Sequence, residues 1–111
     1  MSDFTLWLEF EHVDLSEFDR QNEFCNIRVT LPDGRYYGIN IWTFQFLATA
    51  IQQDLAEGKP LAGLYIKPPD LFVKELTREC ITATITALLQ WGPLEQTLNP
   101  SIGPHFPELI P

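Results

Sequence analysis

Bases are scarce in this chain of 111 residues: seven Lys and Arg stand against fifteen Asp and Glu, leaving a net charge of −8. The seven are scattered singly, which argues against direct nucleic-acid binding, because phosphate contacts need clustered cations. Anionic membrane surfaces are disfavoured for the same reason. No apolar run approaches the roughly 18 residues of a membrane span. Asp3 stands where a secretory signal would carry positive charge, so the expected location is cytoplasmic. Cysteine is also rare: Cys25 and Cys80 are far apart, with no C-x-x-C spacing and no His nearby, which suggests neither a zinc site nor a thioredoxin-like motif. Buried free thiols are the simpler expectation, and a disulfide between them stays open.

Catalytic patterns are missing as well. The two histidines, His12 and His105, have no Ser or Cys partner in a recognisable nucleophile motif. Gly34 and Gly38 flank a strand and form neither a phosphate-cradling loop nor a dinucleotide fingerprint. Glu9 and Glu11 are spaced like a same-face carboxylate pair, and an enzyme would use one of them as acid or base with His12 nearby. Two solvated carboxylates are the more economical reading, because glycosidases bring theirs from separated segments of a large cleft. Asp14, Glu17 and Asp19 superficially suggest calcium, yet the stretch lacks the Gly and terminal Glu of a twelve-residue metal loop. The expectation is therefore no catalytic residue, no metal and no cofactor.

What the chain does have is apolar substance: 45% hydrophobic residues, with eight Phe, three Trp and three Tyr. That is enough to build one core without metal or disulfide staples. A single domain over 1–111 is expected, with 93–111 an irregular Pro-rich tail. Phe4, Leu6, Leu8 and Phe10 alternate with Thr5, Trp7, Glu9 and Glu11, the pattern of a half-buried strand. His12 to Glu23 loses this periodicity and reads as a polar loop, with room for a helical turn after Asp14 or Ser16. A hairpin follows. Ile27, Val29 and Leu31 alternate inward, Pro32-Asp33-Gly34 turns, and Tyr37, Ile39 and Ile41 alternate inward on the return.

Thr43 is placed to cap a helix of about fourteen residues, on which Phe44, Leu47, Ile51 and Leu55 recur at helical spacing, with Gly58 and Pro60 as its stop. Leu61 to Lys67 reads as a short strand or extended stretch. Asp70, after Pro68-Pro69, is positioned to cap a second helix from Leu71 to about Trp91, which Gly92-Pro93 ends. Four Thr lower the intrinsic propensity of that helix, so packing across the sheet must hold it. The order predicts an α+β fold: a mainly antiparallel sheet of three to four strands with two helices packed on one face. The other face would be partly solvated, presenting Trp7 beside Glu9 and Glu11, together with Arg28, Tyr36 and Asn40.

The negative charge is local. The first 23 residues hold Asp3, Glu9, Glu11, Asp14, Glu17, Asp19 and Glu23 against one base, Arg20, a net −6. A small protein with its charge gathered in one stretch and no catalytic motif is suited to meeting a basic partner.

Two stretches carry a resemblance: Arg35-Tyr36-Tyr37-Gly38-Ile39-Asn40-Ile41-Trp42-Thr43-Phe44 and Tyr65-Ile66-Lys67-Pro68-Pro69-Asp70-Leu71-Phe72-Val73-Lys74-Glu75-Leu76. The order of hairpin, W-T-F helix start and P-P-D-L-F-V helix start resembles immunity proteins of polymorphic toxin systems, including those of contact-dependent growth inhibition. The likeness covers roughly Phe24 to Leu89. It implies a non-enzymatic inhibitor of one cognate toxin domain, many such toxins being nucleases with basic clefts. The acidic stretch lies outside the best-matching part, so its role follows from charge alone: Trp7, Glu9, Glu11, Asp14, Glu17, Asp19 and Glu23 are the expected toxin-binding residues. The alternative is an acidic adaptor or subunit of a cytoplasmic complex without a toxin partner.

Overall fold

The computed structural model describes residues 4–13, 16, 18–98 and 102–106. Four strands, β1 (Thr5–Leu8), β2 (Phe24–Thr30), β3 (Tyr36–Thr43) and β4 (Leu71–Val73), form a sheet in the order β1-β2-β3-β4. The first two pairings are antiparallel and β3 pairs with β4 in parallel. Helix α1 (Phe44–Ala56) follows β3, α2 (Arg78–Trp91) follows β4, and a single turn, α3 (Leu94–Thr97), comes last. This is an α+β fold with a small, open, mostly antiparallel sheet. No helix among the described residues is long and apolar enough to cross a membrane.

The hairpin forms as its sequence predicts. Gly34 takes φ +94°, the Leu31 N–H donates to the Arg35 carbonyl at 2.8 Å, and Asp33 holds Arg35 through its side chain at 2.7 Å. The strand period of two then sends Cys25, Ile27 and Val29 of β2, and Tyr37, Ile39 and Ile41 of β3, to one face. All six are essentially sealed from solvent, where they join Leu8, Val73, Leu76, Ile81, Ile85 and Leu94 in one cluster. Helix α2 lies over this face through Ile81 and Ile85. Both cysteines are free. Burial, with the Glu9 and Glu23 carboxylates adding to it, pushes the Cys25 thiol up to about 12.

Helix α1 is seated differently. Thr43 caps it as expected, its hydroxyl accepting from the Phe46 N–H at 3.1 Å and from the Glu23 N–H at 3.2 Å. Its buried residues are Phe46 and Ala50, and Phe46 meets Phe24 and Trp42 at ring-centroid distances of 5.0 and 5.1 Å. Phe24 and Trp42 belong to the alternate strand positions, so the two helices divide between the two sides of the sheet. The stripe expected to face the core is rotated away: Phe44 and Leu55 are exposed, and Leu47 and Ile51 only half-buried.

Four further expectations are corrected. Strand β1 stops at Leu8, and Glu9–Glu11 forms a 3-10 turn that still returns Phe10 to the core. The cause is Glu9, whose Oε1 accepts the Asn26 N–H at 2.9 Å and so ends the ladder with a side chain. Leu61 to Lys67 is a series of turns followed by irregular chain, with Leu61 at φ +63°. The extended segment lies later, at Leu71–Val73, beside Ile41–Thr43. That pairing delays α2 to Arg78, capped by Thr77 and not Asp70; the Thr77 hydroxyl accepts from the Cys80 N–H at 3.1 Å. Asp70 is engaged with β3, its carboxylate accepting the Asn40 N–H at 2.8 Å and its own N–H donating to the Asn40 carbonyl at 3.1 Å.

The end of the chain is tied down where it is described. Leu94 is buried, and the Tyr37 hydroxyl donates to Glu95 at 2.6 Å. His105 exchanges two backbone bonds with Tyr36, at 2.8 and 2.9 Å.

Candidate functional site

The face of the sheet away from α2 is built from the other strand positions, and the register sets them in rows. Trp7, Arg28 and Gly38 lie across β1, β2 and β3; Asn26 and Asn40 form the next row, beside Asp70. With no side chain at Gly38, the rows enclose a trough of about 730 Å³ lined by Trp7, Asn26, Arg28, Thr30, Asn40 and Asp70. A Cβ placed on Gly38 would meet nothing within 4 Å, and the residue's φ is ordinary for a strand. The glycine therefore answers no steric demand of the fold; its effect is to leave the floor open.

Two aromatic rings of this face, Trp7 of the trough and Tyr36 beside Arg28, are each backed by a histidine. Trp7 stacks on His12, with centroids 5.2 Å apart and planes 8° from parallel. Tyr36 stacks on His105 at 5.5 Å, and its ring also carries the Arg28 guanidinium, 4.5 Å from the centroid. Within the trough the Asn40 side chain donates to the Asn26 side chain at 3.2 Å. Two amides, one cation, one carboxylate and a half-exposed indole suit hydrogen bonding and stacking with a protein surface. Both histidines are spent on stacking at the margins. Among the described residues no three His, Cys, Asp or Glu side chains converge to hold a metal ion.

The described members of the expected toxin-binding set, Trp7, Glu9, Glu11, Asp19 and Glu23, are spread over several elements. Trp7 walls the trough, 45% exposed, and Glu9 stands at its end beside Asn26. Glu11 turns away to the start of α2, where both its oxygens take N–H groups of Arg78 at 2.6 and 2.9 Å. That hydrogen bond holds its carboxyl below the usual range. The reason is the 3-10 turn: on a continued strand Glu9 and Glu11 would project together, whereas here they diverge. Asp19 accepts the Gln21 N–H at 3.0 Å within its own loop, and Glu23 sits where β2 begins, its peptide bonded to Thr43. Asp14 and Glu17 lie outside the described residues.

Sequence reasoning placed Arg28, Tyr36 and Asn40 on this face and missed Asn26 and Asp70. Asn26 was legible, since it shares the parity of Arg28. Asp70 was not, because its position depends on a parallel pairing that no local signal announces.

No family model, no curated protein and no solved structure matches this chain.

Proposed function

We propose that this chain is an immunity protein: it binds one cognate toxin domain, a nuclease with a basic active-site cleft, and blocks it without chemistry of its own. The observation that carries the reading is the net −6 of the first 23 residues, a stretch that includes Trp7, which lines the trough of about 730 Å³ over Gly38. A row of two amides, an indole and nearby carboxylates suit an interface with a polar rim. The order of hairpin, Trp42-Thr43-Phe44 junction and Pro68-Pro69-Asp70-Leu71-Phe72-Val73 junction, which resembles such proteins, supports the same reading.

The test is co-expression with the toxin-bearing product of the adjacent gene. The expected result is suppressed toxicity and a complex that co-purifies; unrelieved toxicity with no complex sinks the proposal. Association should be fast at low ionic strength and slow markedly with salt, since exposed charges steer the encounter only within a Debye length. Reversing Glu17 and Asp19 to Lys should weaken binding with little change in melting temperature.

A further inference from the structure

Main-chain groups along β3 alternate in direction, because in an antiparallel ladder a residue that exchanges bonds with one neighbour is followed by one whose N–H and C=O point to the other side. Tyr36 and Asn40 point away from β2. Tyr36 exchanges both its bonds with His105, at 2.8 and 2.9 Å, while Asn40 accepts the Asp70 N–H at 3.1 Å and donates its own N–H to the Asp70 carboxylate at 2.8 Å. Gly38 lies midway between them with the same parity, so its N–H and C=O point outward as well. Among the described residues neither group has a hydrogen-bond partner, and Gly38 is exposed.

This rung is open for a local reason. The antiparallel bridge between Tyr36 and His105, if continued, would set Gly103 opposite Gly38. Pro104 intervenes, and its ring locks φ near about −65°, away from the antiparallel value of about −140°. The tail leaves the ladder after one rung, and a hollow of about 290 Å³ opens instead, lined by Gly38, Asp70, Ile102, Gly103, Pro104 and His105. Gly38 and Asp70 also line the trough. With no side chain at Gly38, hollow and trough adjoin across it.

The rungs on either side show what chemistry fits: main-chain N–H and C=O groups from His105, a main-chain N–H and a carboxylate from Asp70. An outward N–H and C=O on one extended residue are matched by the C=O and N–H of another. Because the flanking rungs are taken and stand only about 13 Å apart along the strand, the occupant presents one residue from a loop tip and not a whole strand. The side chain of that residue falls on the outer face, in the trough. Charge there is balanced. The ionisable groups lining trough and hollow are Arg28, Asp70 and His105. Arg28 lies on the Tyr36 ring without an ion pair among the described residues, Asp70 is bonded to the Asn40 N–H, and His105 is stacked on Tyr36. A charged side chain of either sign would meet its own sign in Arg28 or Asp70, whereas an amide or hydroxyl both accepts from the first and donates to the second.

We infer that the Gly38 rung of β3 is a docking slot for a loop tip of the partner protein: one extended residue exchanges two main-chain hydrogen bonds with Gly38 and sets an uncharged amide or hydroxyl side chain between Arg28 and Asp70. The inference rests on the immunity reading and names the main-chain contact through which the inhibitor holds its partner.

The experiment follows amide hydrogen exchange of the whole chain by NMR, alone and with the adjacent gene's toxin domain, and measures the affinity of Gly38→Pro and Gly38→Ala. In the free chain the Gly38 N–H is expected to exchange fast while those of Tyr36 and Asn40 are protected, and in the complex to slow about tenfold or more. Gly38→Pro removes only the outward donor, which has no place in the ladder with β2, and is expected to weaken binding about tenfold. Gly38→Ala keeps the donor and is expected to bind within about threefold of wild type. If Gly38→Pro does not fold, the exchange measurement decides by itself. A complex in which Gly38 exchanges as freely as in the free chain, or wild-type affinity of a folded Gly38→Pro, overturns the slot and leaves the immunity reading standing. Absence of any complex overturns both. Protection of Gly38 in the free chain assigns the rung to the chain's own tail, or to a second copy if it grows with protein concentration, and either result overturns the partner loop.

Discussion

The two faces of one sheet differ almost completely, although they alternate residue by residue along the same strands. On the inner face Cys25, Ile27, Val29, Tyr37, Ile39 and Ile41 are sealed under α2. On the outer face Asn26, Arg28 and Gly38 are open to solvent, and the aromatic residues Phe24 and Trp42 are only partly covered by α1. Burial of the first face supplies the folding free energy. The second contributes little to that and is free to carry groups chosen for contact: amides, an arginine on a ring, a glycine floor.

Substitution on the two faces should separate these roles. Ile39→Ala removes fully buried carbons and should cost about 2–5 kcal/mol, read as a lowered urea midpoint. Its neighbour Gly38→Phe should leave stability unchanged or raised, since the site has space and a strand gains from a side chain. The same Phe would fill the trough and abolish partner binding. If Gly38→Phe bound normally, the trough would lose its assignment.

Thr43→Ala tests the hinge between the faces. Its hydroxyl serves the first turn of α1 and the start of β2 at once, so the loss should be about 1–2 kcal/mol, measured by thermal melting. Smaller still is the Glu11 ion pair with Arg78, which is partly exposed and is expected to contribute under about 1 kcal/mol. Because the folded-state value of Glu11 is depressed, its contribution is present above the unfolded carboxyl value of about 4.3. It is lost as pH falls through the lower folded value. Glu11→Gln should therefore lower stability at neutral pH by that amount, under about 1 kcal/mol, have almost no effect below the folded value, and so flatten the acid limb of a stability profile.

The smallest energetic signature, and the most local, is the Cys25 thiol. Buried on the inner face and pushed up to about 12, it should resist alkylation at pH 8 until the chain is unfolded. Mass spectrometry of trapped adducts reads this directly, and fast labelling of Cys25 in the native protein would mean that the inner face opens.

How far these features could be foreseen depended on whether their signal is local. The hairpin, the Thr43 cap and the inward set of Ile27, Val29, Ile39 and Ile41 were legible, because turn chemistry and a period of two are properties of neighbouring residues. The outward placement of Trp7, Arg28, Tyr36 and Asn40 followed from the same period. The acidic candidates follow from charge counted along the chain, which places Glu9 and Glu11 together on one strand face. A single 3-10 turn, beside the bond from Asn26 to Glu9, sends Glu11 to Arg78 and separates that pair. Likewise the stripe Phe44, Leu47, Ile51 and Leu55 has helical spacing, but spacing states only that such residues share a side of a helix, not which side the sheet will cover.

Alternation, turn residues, caps and the acidic bias of the first 23 residues were therefore decided by the amino-acid order alone, because each acts over a few positions. The parallel strand at Leu71–Val73, the rotation of α1 toward Phe24 and Trp42, and the trough over Gly38 were decided by tertiary structure. Each depends on residues some 20 to 60 positions apart, such as Phe24 and Phe46 or Ile41 and Leu71, whose meeting is favourable only once the sheet has formed.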